Sequence, residues 1–174
     1  MVEFIYKKMD IKLRKWHEAD LESLVKSVNN SNVSKWLTND FPNPYTREDG
    51  KTYLSRITND NPAKVFAIEV NGEIVGSIGV YPQSDIHEKC AEIDYWLAEE
   101  HWGKGIMPKA VEEIVVYGFR TFDIVRIFAQ PFATNLKSHR VLEKTGFTLE
   151  ARLKKSIFKN GEFIDELVYT KFKD

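Results

Sequence analysis

The most informative run of the sequence is Trp96-Leu97-Ala98-Glu99-Glu100-His101-Trp102-Gly103-Lys104-Gly105-Ile106-Met107-Pro108. A strand-like run ends here, two glycines separated by one residue follow, and Pro108 is well placed as the first residue of a helix. Glycines adopt positive φ and allow backbone N–H groups to approach a ligand, and a helix start adds unpaired donors and a positive dipole end. The junction predicts either an anion-binding loop or a tight turn without a ligand.

The glycine spacing excludes two common phosphate-binding motifs. The P-loop pattern is absent, and Pro108 stands where a dinucleotide fingerprint has its third glycine. Residues 85–100 carry six acids and one lysine, a net charge of −5. The charged residues that follow are mostly basic and include Lys104, Lys109, Lys137, Arg140 and Lys144. We expect a phosphate-binding basic rim beside an acidic mouth that suits a cationic amine, unless both runs are ordinary solvated faces.

The composition indicates one cytoplasmic domain spanning residues 1–174. The chain has 174 residues, of which 43% are hydrophobic and 13% aromatic, enough for a core. Its 25 basic and 26 acidic residues leave a charge of −1, which argues against a nucleic-acid partner. The single cysteine, Cys90, cannot close an internal disulfide. The first ten residues lack a signal-peptide pattern, and no stretch is long and apolar enough for a membrane span, so we expect no membrane partner.

Hydrophobic periodicity predicts an order of β, helices, β-hairpin, β, α, β, α, β-hairpin. Asn71-Gly72 and Asn160-Gly161 mark the two hairpin turns. The predicted strands cover residues 11–16, 65–70, 73–81, 91–98, 124–130, 147–153 and 162–172, and the predicted helices cover 19–28, 33–37, 46–57, 108–122 and 135–145. This order predicts a mixed α/β (α+β) fold with three layers around a central sheet.

Three motifs resemble the GCN5-related N-acetyltransferase (GNAT) superfamily, and specifically its RimJ/RimL-type branch. Glu100-His101-Trp102-Gly103-Lys104-Gly105 is similar to the Gln/Arg-x-x-Gly-x-Gly/Ala acyl-CoA loop. The run from Asn135 through Ser138 to Lys144, Gly146 and Phe147 is similar to the Asn-x-x-Ser…Lys-x-Gly-Phe signature. The third motif is Tyr95-Trp96-Leu97, and the closing hairpin with Asp165-Glu166 is also typical. The resemblance covers about residues 11–172 and implies a mixed, mostly antiparallel sheet of about seven strands flanked by helices.

Glu100 departs from this pattern, which has Gln or Arg at its position. A carboxylate does not help to bind a pyrophosphate, because like charges repel. Family members bind the cofactor here largely through backbone N–H groups, so the departure weakens the motif more than the expected binding.

The resemblance implies acetyl-CoA as cosubstrate and assigns residues to it. The strand Ile93, Tyr95, Trp96 and Leu97 would line the pantetheine arm, admitted by a splay from the strand at 125–130. Backbone N–H groups of Trp102, Gly103, Lys104, Gly105 and Ile106 would bind the pyrophosphate. Asn135 would bind pantetheine or cap its helix, Ser138 would point at the sulfur, and Lys104, Arg140 and Lys144 are candidates for the ribose phosphate.

The implied reaction is direct attack of an amine on the thioester, which requires three groups. A carboxylate must take the ammonium proton, often through water. Glu92 and Asp94 share one strand face and are our candidates, although such acids are often a solvent face; Asp165, Glu166 and Glu69 are rivals. A backbone N–H near Tyr95 or Trp96 would stabilise the oxyanion. The Ser138 hydroxyl would hydrogen-bond the leaving thiolate.

The acceptor stays open at this level. A protein N-terminus is favoured by the resemblance, with a polyamine, aminoglycoside or amino-acid derivative as alternative and a non-catalytic acyl-CoA-binding module as a further one. Family members commonly form homodimers. Trp36, Phe41, Tyr45 and Tyr53 belong either to the acceptor site or to the core. His87 and Cys90 supply too few ligands for zinc, so we expect no metal, and we expect His139 at the surface.

Overall fold

The computed structural model describes residues 9–39 and 41–173. Residues 1–8, which include most of the segment without a signal-peptide pattern, lie outside the described residues. Asp40, within the predicted loop at 39–45, lies outside them as well.

The chain forms a seven-stranded sheet with helices on both faces. In chain order the elements are β1 (Ile11–Lys15), α1 (Leu21–Val28), α2 (Ser31–Ser34), α3 (Arg47–Ile57), β2 (Val65–Val70), β3 (Glu73–Pro82), β4 (Cys90–Leu97), α4 (Ile106–Thr121), β5 (Arg126–Ala129), α5 (Leu136–Lys144), β6 (Thr148–Lys159) and β7 (Glu162–Phe172). Short 3-10 turns cover Glu18–Asp20, Asp85–His87 and Glu99–His101.

The strand order is β1-β2-β3-β4-β5-β7-β6, and every pairing is antiparallel except β4 with β5. The parallel pair requires a crossover, which α4 provides. The mixed, mostly antiparallel sheet predicted from the sequence is therefore confirmed.

Two hydrophobic clusters pack on opposite faces of the sheet and make the three layers. On one face, α4 and α5 bury residues such as Val111, Ile114 and Leu142 against the central strands. On the other face, α1, α2 and α3 bury residues such as Leu24 and Leu54. The strand β4 contributes to both clusters, because successive side chains of a strand point to opposite faces.

Several predicted boundaries are wrong. The helix α4 begins at Ile106, so Pro108 is its third residue rather than its first, since the left-handed Gly105 lets the helix start at once. The last hairpin has a longer first strand than predicted, reaching Lys159. The short helix predicted at 33–37 is one turn at Ser31–Ser34. Among the described helices, none combines the length and the apolar character that crossing a bilayer requires.

Candidate functional site

A gap opens in the middle of the sheet where β4 and β5 part. In the described part of the chain, their pairing ends at Glu92 and Phe128. The chain beyond β5 follows β7 instead: the Leu167 N–H donates to the Pro131 carbonyl at 3.0 Å. Residues Ile93–Leu97 therefore keep β3 on one side and face the gap on the other, and their backbone groups on that side are available to an extended ligand.

The glycine loop lies at the end of β4 and opens α4. Gly103 and Gly105 have φ of 73° and 75°, a conformation that other residues adopt only at a cost. A Cβ at either position would meet open space, so conformation and not crowding requires glycine there. Gly105, the N-cap residue of α4, has no side chain that could cap the first N–H groups of the helix. These donors and the helix dipole can bind an anion.

Helix α5 lies against this loop. The Trp102 indole N–H donates to the Leu97 carbonyl at 2.8 Å, which fixes the ring beside the end of β4. The Lys137 ammonium lies 3.8 Å from the centre of that ring. A cation from α5 therefore stands next to the glycine loop, as the charge pattern predicts. Lys104, Arg140 and Lys144 are exposed, and their assignment to the ribose phosphate stays a prediction.

Ser138 occupies the first turn of α5 and faces β4. The Asn135 side chain caps the helix by accepting a hydrogen bond from the Ser138 N–H at 3.3 Å. The Ser138 Oγ lies 2.7 Å from the Tyr95 hydroxyl. Of the two roles offered for Asn135, the structure contains the helix cap.

Glu92 and Asp94 lie two residues apart on the α1–α3 face of β4, beside the gap. Burial raises the pKa of Glu92 to about 7, and the charges of Asp94 and Glu166 raise it further. The Asp94 side chain is exposed at the surface of β4, although many protein atoms lie around it. Desolvation by these atoms raises the pKa of Asp94 to about 6. Carboxylates with pKa values near neutrality are suited to proton transfer.

Tyr81 and Gly79, which the sequence analysis did not select, lie beside Asp94. Gly79 pairs with Asp94 across β3 and β4, and the Tyr81 ring folds back over Gly79. Interaction with the Tyr81 hydroxyl lowers the pKa of Asp94, opposing the effect of burial. The charge of Asp94 in turn adds to the burial that raises the pKa of Tyr53. A glycine two residues before a tyrosine on one strand face is the only signal in the sequence for this arrangement.

Aromatic residues lie on the same side of the gap. Phe41 packs between Tyr45 and Tyr53, with ring centres 5.5 and 5.2 Å away. Trp36 meets Phe132 edge-on at 6.1 Å and so bridges the two sides of the gap. Tyr45 is buried, whereas Trp36, Phe41 and Tyr53 are partly exposed, and Tyr53 lies close enough to Asp94 for that charge to raise the pKa of Tyr53. Of the four aromatic residues, Tyr45 therefore belongs to the core, and the other three stay candidates for the acceptor site.

The rival carboxylates have other partners. Asp165 accepts hydrogen bonds from the Arg152 side chain and the Lys155 N–H, both at 2.8 Å. Glu69, on β2, pairs with Arg14 at 2.7 Å, and β3 separates its strand from β4 and the gap. Glu166 lies on β7 and acts on Glu92 through its charge.

The acidic run 85–100 does not form one acidic mouth, contrary to our expectation. Glu92 and Asp94 line the gap, but Glu99 accepts hydrogen bonds at 2.9 Å from the side chains of Asn30 and Asn32. The lysine of the run, Lys89, pairs with Asp123. Glu99 and Lys89 therefore stabilise local structure, whereas Glu92 and Asp94, on β4, face the site.

Two further expectations concern histidines and metals. His139 is buried rather than exposed: it stacks on Tyr169 at 5.7 Å, and its Nε2 lies 3.1 Å from the Phe132 carbonyl. Within residues 9–39 and 41–173, no three His, Cys, Asp or Glu side chains are grouped to hold a metal ion.

Two surface cavities lie away from these groups. One, of about 430 Å³, lies on the C-terminal half of α4, and the other, of about 350 Å³, lies between α2, Phe41 and the turn at Asn160. Neither is lined by Glu92, Asp94 or Ser138. The candidate site is therefore defined by the strand gap and the groups that line it.

The family model described as "Acetyltransferase (GNAT) domain" matches residues 10–148. The chain belongs to the GNAT acetyltransferase family. The resemblance found in the sequence is thereby confirmed, and as a GNAT member the protein is an N-acetyltransferase.

Relatives of known sequence and structure match over nearly the whole chain. The putative ribosomal N-acetyltransferase YdaF of Bacillus subtilis is 29% identical over 172 residues, which are 94% of this chain and 91% of the relative. The spermidine N(1)-acetyltransferase of Escherichia coli K12 is 26% identical over 155 residues, 88% and 81% of the two chains. The microcin C7 self-immunity acetyltransferase MccE, solved with acetyl-CoA and AMP, superposes with a TM-score of 0.81 at 26% identity over 94% and 93% of the chains.

The residues at the gap fit acetyl-CoA. The uncapped N–H groups of α4 suit a pyrophosphate, and the free edge of β4 suits an extended arm that carries amides. N-acetylation that uses acetyl-CoA is the activity that the family and these residues support.

Proposed function

We propose that this GNAT protein transfers the acetyl group to a primary amine by direct attack in a ternary complex, with a protein N-terminus as acceptor. The observation that carries the proposal is the pair Glu92 and Asp94, which lies beside the gap within an aromatic enclosure. An amine there would meet carboxylates on the face opposite α5, while Ser138 lies on the α5 face.

The carboxylate pair is proposed as the general base. An ammonium must lose its proton before it attacks, and a carboxylate with a pKa of about 7 or 6 accepts protons far better than one at its ordinary value. The pair titrates as a unit, because the charge of Asp94 raises the pKa of Glu92. Transfer through a bridging water satisfies the geometry of an open cleft.

The remaining roles fall to β4, α4 and α5. A backbone N–H of β4 near Tyr95 or Trp96 would donate to the oxyanion. The loop residues Trp102 to Ile106 would bind the pyrophosphate, with Asn135 holding α5 in place. The Ser138 hydroxyl would donate a hydrogen bond to the departing sulfur, which leaves as a thiolate.

A polyamine is the alternative acceptor, and a specific observation supports it. Glu166, on β7, lies close enough to Glu92 for its charge to raise the pKa of Glu92, so three carboxylates lie near the gap. Such a group suits a ligand with several ammonium groups. The spermidine acetyltransferase relative is consistent with this alternative, whereas the ribosomal relative YdaF favours a protein acceptor.

An amine panel separates these possibilities. Release of CoA thiol is measured with peptides that begin with free Ser, Ala or Met, with the same peptides blocked at the N-terminus, and with spermidine. Turnover of the free peptides alone supports the proposal. Turnover of spermidine alone replaces the acceptor, and tight CoA binding without amine-dependent release overturns catalysis.

Variants test the assigned groups with the best substrate of that panel. Ser138→Ala is expected to lower kcat by about tenfold or more, with a smaller effect on KM for acetyl-CoA, because a hydrogen bond of the transition state is lost. Glu92→Gln and Asp94→Asn are compared, and at least one is expected to lower kcat more than tenfold. Ser55→Ala, at an exposed position on α3, is the control. An unchanged kcat in Ser138→Ala removes this serine from the mechanism.

A further inference from the structure

The Tyr95 hydroxyl is the polar group that contacts Ser138 from β4. The two hydroxyl oxygens are 2.7 Å apart, and the Tyr95 oxygen is 3.5 Å from the Ser138 carbonyl. Tyr95 belongs to the strand that faces the gap, while Ser138 belongs to the helix beside the glycine loop. The contact therefore joins the two elements on which the reacting thioester would lie.

The direction of this hydrogen bond follows from the acidities of the two hydroxyls. A phenol is a much stronger acid than an aliphatic alcohol, so the Tyr95 O–H is the better donor and the Ser138 Oγ the better acceptor. Burial raises the pKa of Tyr95 above its ordinary value, so the phenol keeps its proton throughout the neutral range. With its oxygen occupied as an acceptor, Ser138 has its own proton free to point elsewhere.

We propose that Tyr95 is a positioning residue, whose hydroxyl donates to the Ser138 Oγ and directs the serine proton toward the departing sulfur. The inference rests on the proposed function, since it assigns a second hydroxyl to the leaving-group side of that reaction. Donation from Tyr95 also strengthens Ser138 as a donor, because hydrogen bonds in a chain polarise one another.

Protons and electrons balance without a proton from Tyr95. The amine nitrogen forms the new bond to the acetyl carbon, the carbon–sulfur bond breaks, and its electron pair stays on sulfur. The ammonium nitrogen loses two protons on the way to the amide: the first goes to the carboxylate pair before the attack and passes on to water, and the second goes to the pair as the carbon–sulfur bond breaks. An ordinary thiol has a pKa of about 8.5, below the value of about 10 for an unperturbed phenol, so transfer from Tyr95 to the thiolate is unfavourable. Tyr95 therefore acts as a fixed donor that keeps its proton.

Tyr95→Phe is the direct test, because it removes the hydroxyl and keeps the ring. We expect kcat to fall about tenfold with KM for acetyl-CoA nearly unchanged. In a Ser138→Ala background, the same substitution is expected to change kcat less than about twofold, since the two hydroxyls act as one unit. Tyr169→Phe is the matched control: its hydroxyl also contacts α5, donating to Glu143 at 3.1 Å, and we expect kcat to be unchanged.

A multiply fluorinated tyrosine at Tyr95 gives an independent readout. Its more acidic hydroxyl ionises at lower pH and can then no longer donate, so kcat is expected to gain an alkaline limb that the wild type lacks below about pH 10. A merely structural role of the ring would not change the pH profile.

The outcomes separate this inference from the function on which it rests. Wild-type protein without amine-dependent CoA release overturns both. If the wild type is active, three results overturn the role of Tyr95 alone. Tyr95→Phe keeps the wild-type kcat, it raises only KM, or its loss of kcat multiplies with the loss caused by Ser138→Ala. A pH profile unchanged by fluorination does the same.

Discussion

Gly79 and Tyr81 show how single residues set the chemistry of Asp94. A Cβ at Gly79 would come within 2.6 Å of the Tyr81 ring, so only glycine leaves the ring its place over the strand. In that place the Tyr81 hydroxyl interacts with the Asp94 carboxylate and stabilises its charged form. Burial acts in the opposite direction, and the pKa of about 6 is the result of both.

Removing the Tyr81 hydroxyl is therefore expected to shift the pH dependence of activity. In Tyr81→Phe the charged carboxylate loses a favourable interaction, so the pKa of the pair rises and the acidic limb of kcat/KM moves to higher pH. Gly79→Ala, which displaces the ring, is expected to shift the limb in the same direction. Tyr117→Phe removes a hydroxyl bonded to the Ala63 carbonyl, far from Asp94, and serves as control. A limb that stays in place, or moves to lower pH, contradicts this role of Tyr81.

The sequence predicts the carboxylates of the site better than the groups around them. Glu92 and Asp94 follow from the two-residue period of a strand, which needs no knowledge of the tertiary structure. The Tyr81 contact depends on how one ring folds over the neighbouring strand position, and the Tyr95 contact depends on where α5 packs. Neither leaves a periodic pattern in the sequence.

Helix α5 carries Ser138, and its first turn depends on Asn135. Asn135→Ala removes the cap and is expected to lower the free energy of unfolding by about 1 kcal/mol, a change of about 2–4 °C in Tm. Thr46 caps α3 in a comparable way, because its side-chain oxygen accepts a hydrogen bond from the Asp49 N–H, and Thr46→Ala removes this cap. Both variants should lose similar stability, measured by thermal unfolding, but only Asn135→Ala should lower kcat, because only α5 positions Ser138. Equal loss of kcat in both variants contradicts the argument.

The glycine loop allows a similar comparison between elements. Gly105→Ala forces a side chain into the left-handed region at the start of α4, at a cost of about 1–2 kcal/mol, and is expected to displace the first N–H groups of the helix. The Kd for CoA, measured by calorimetry, should rise about tenfold or more. Gly161→Ala imposes the same strain in a hairpin turn, where φ is 82° and the space is open. It should lower Tm without changing Kd; an equal Kd for both variants would refute the assignment of the loop.

Local chemistry explains which element boundaries the sequence predicts. Asn71-Gly72 and Asn160-Gly161 both have two successive positive φ values, the conformation of the tightest hairpin turns, so the strand ends at Val70, Glu73 and Glu162 are predicted correctly. The strand β6 is predicted too short, since it lies at the sheet edge and alternates little: its exposed run includes Lys154 and Lys155, and Lys155 has a φ of 53°. Its length is imposed by pairing with β7, and such pairing is not visible in one strand alone.

Carboxyl groups with lowered pKa values and carboxyl groups with raised pKa values make the free energy of unfolding depend on pH in opposite directions. Among the described residues, six carboxyls have pKa values lowered by hydrogen bonds or ion pairs: Asp20, Asp49, Glu99, Asp123, Glu150 and Asp165. The unfolded chain binds more protons than the native protein at these sites, so stability falls as they protonate in acid. Glu92 and Asp94, with raised pKa values, do the reverse: the native protein holds the extra protons, and stability falls as pH rises through about 6 to 7.

These two groups predict a stability maximum near about pH 5, where the lowered carboxyls are ionised and the raised pair is still largely protonated. Glu92→Gln removes a charge that is costly in the native state, so we expect its Tm to exceed that of the wild type at pH 8 and the difference to shrink toward pH 5. Glu150→Gln is the opposite control, because it breaks the 2.8 Å contact with Arg126 that lowers the pKa of Glu150. Its Tm should lie below the wild type at pH 7 and converge with it in acid. Thermal unfolding from pH 3 to 8 measures both; a Glu92→Gln variant that is less stable than the wild type at pH 8 would show that the charged form of Glu92 stabilises the fold, and would exclude a raised pKa at this position.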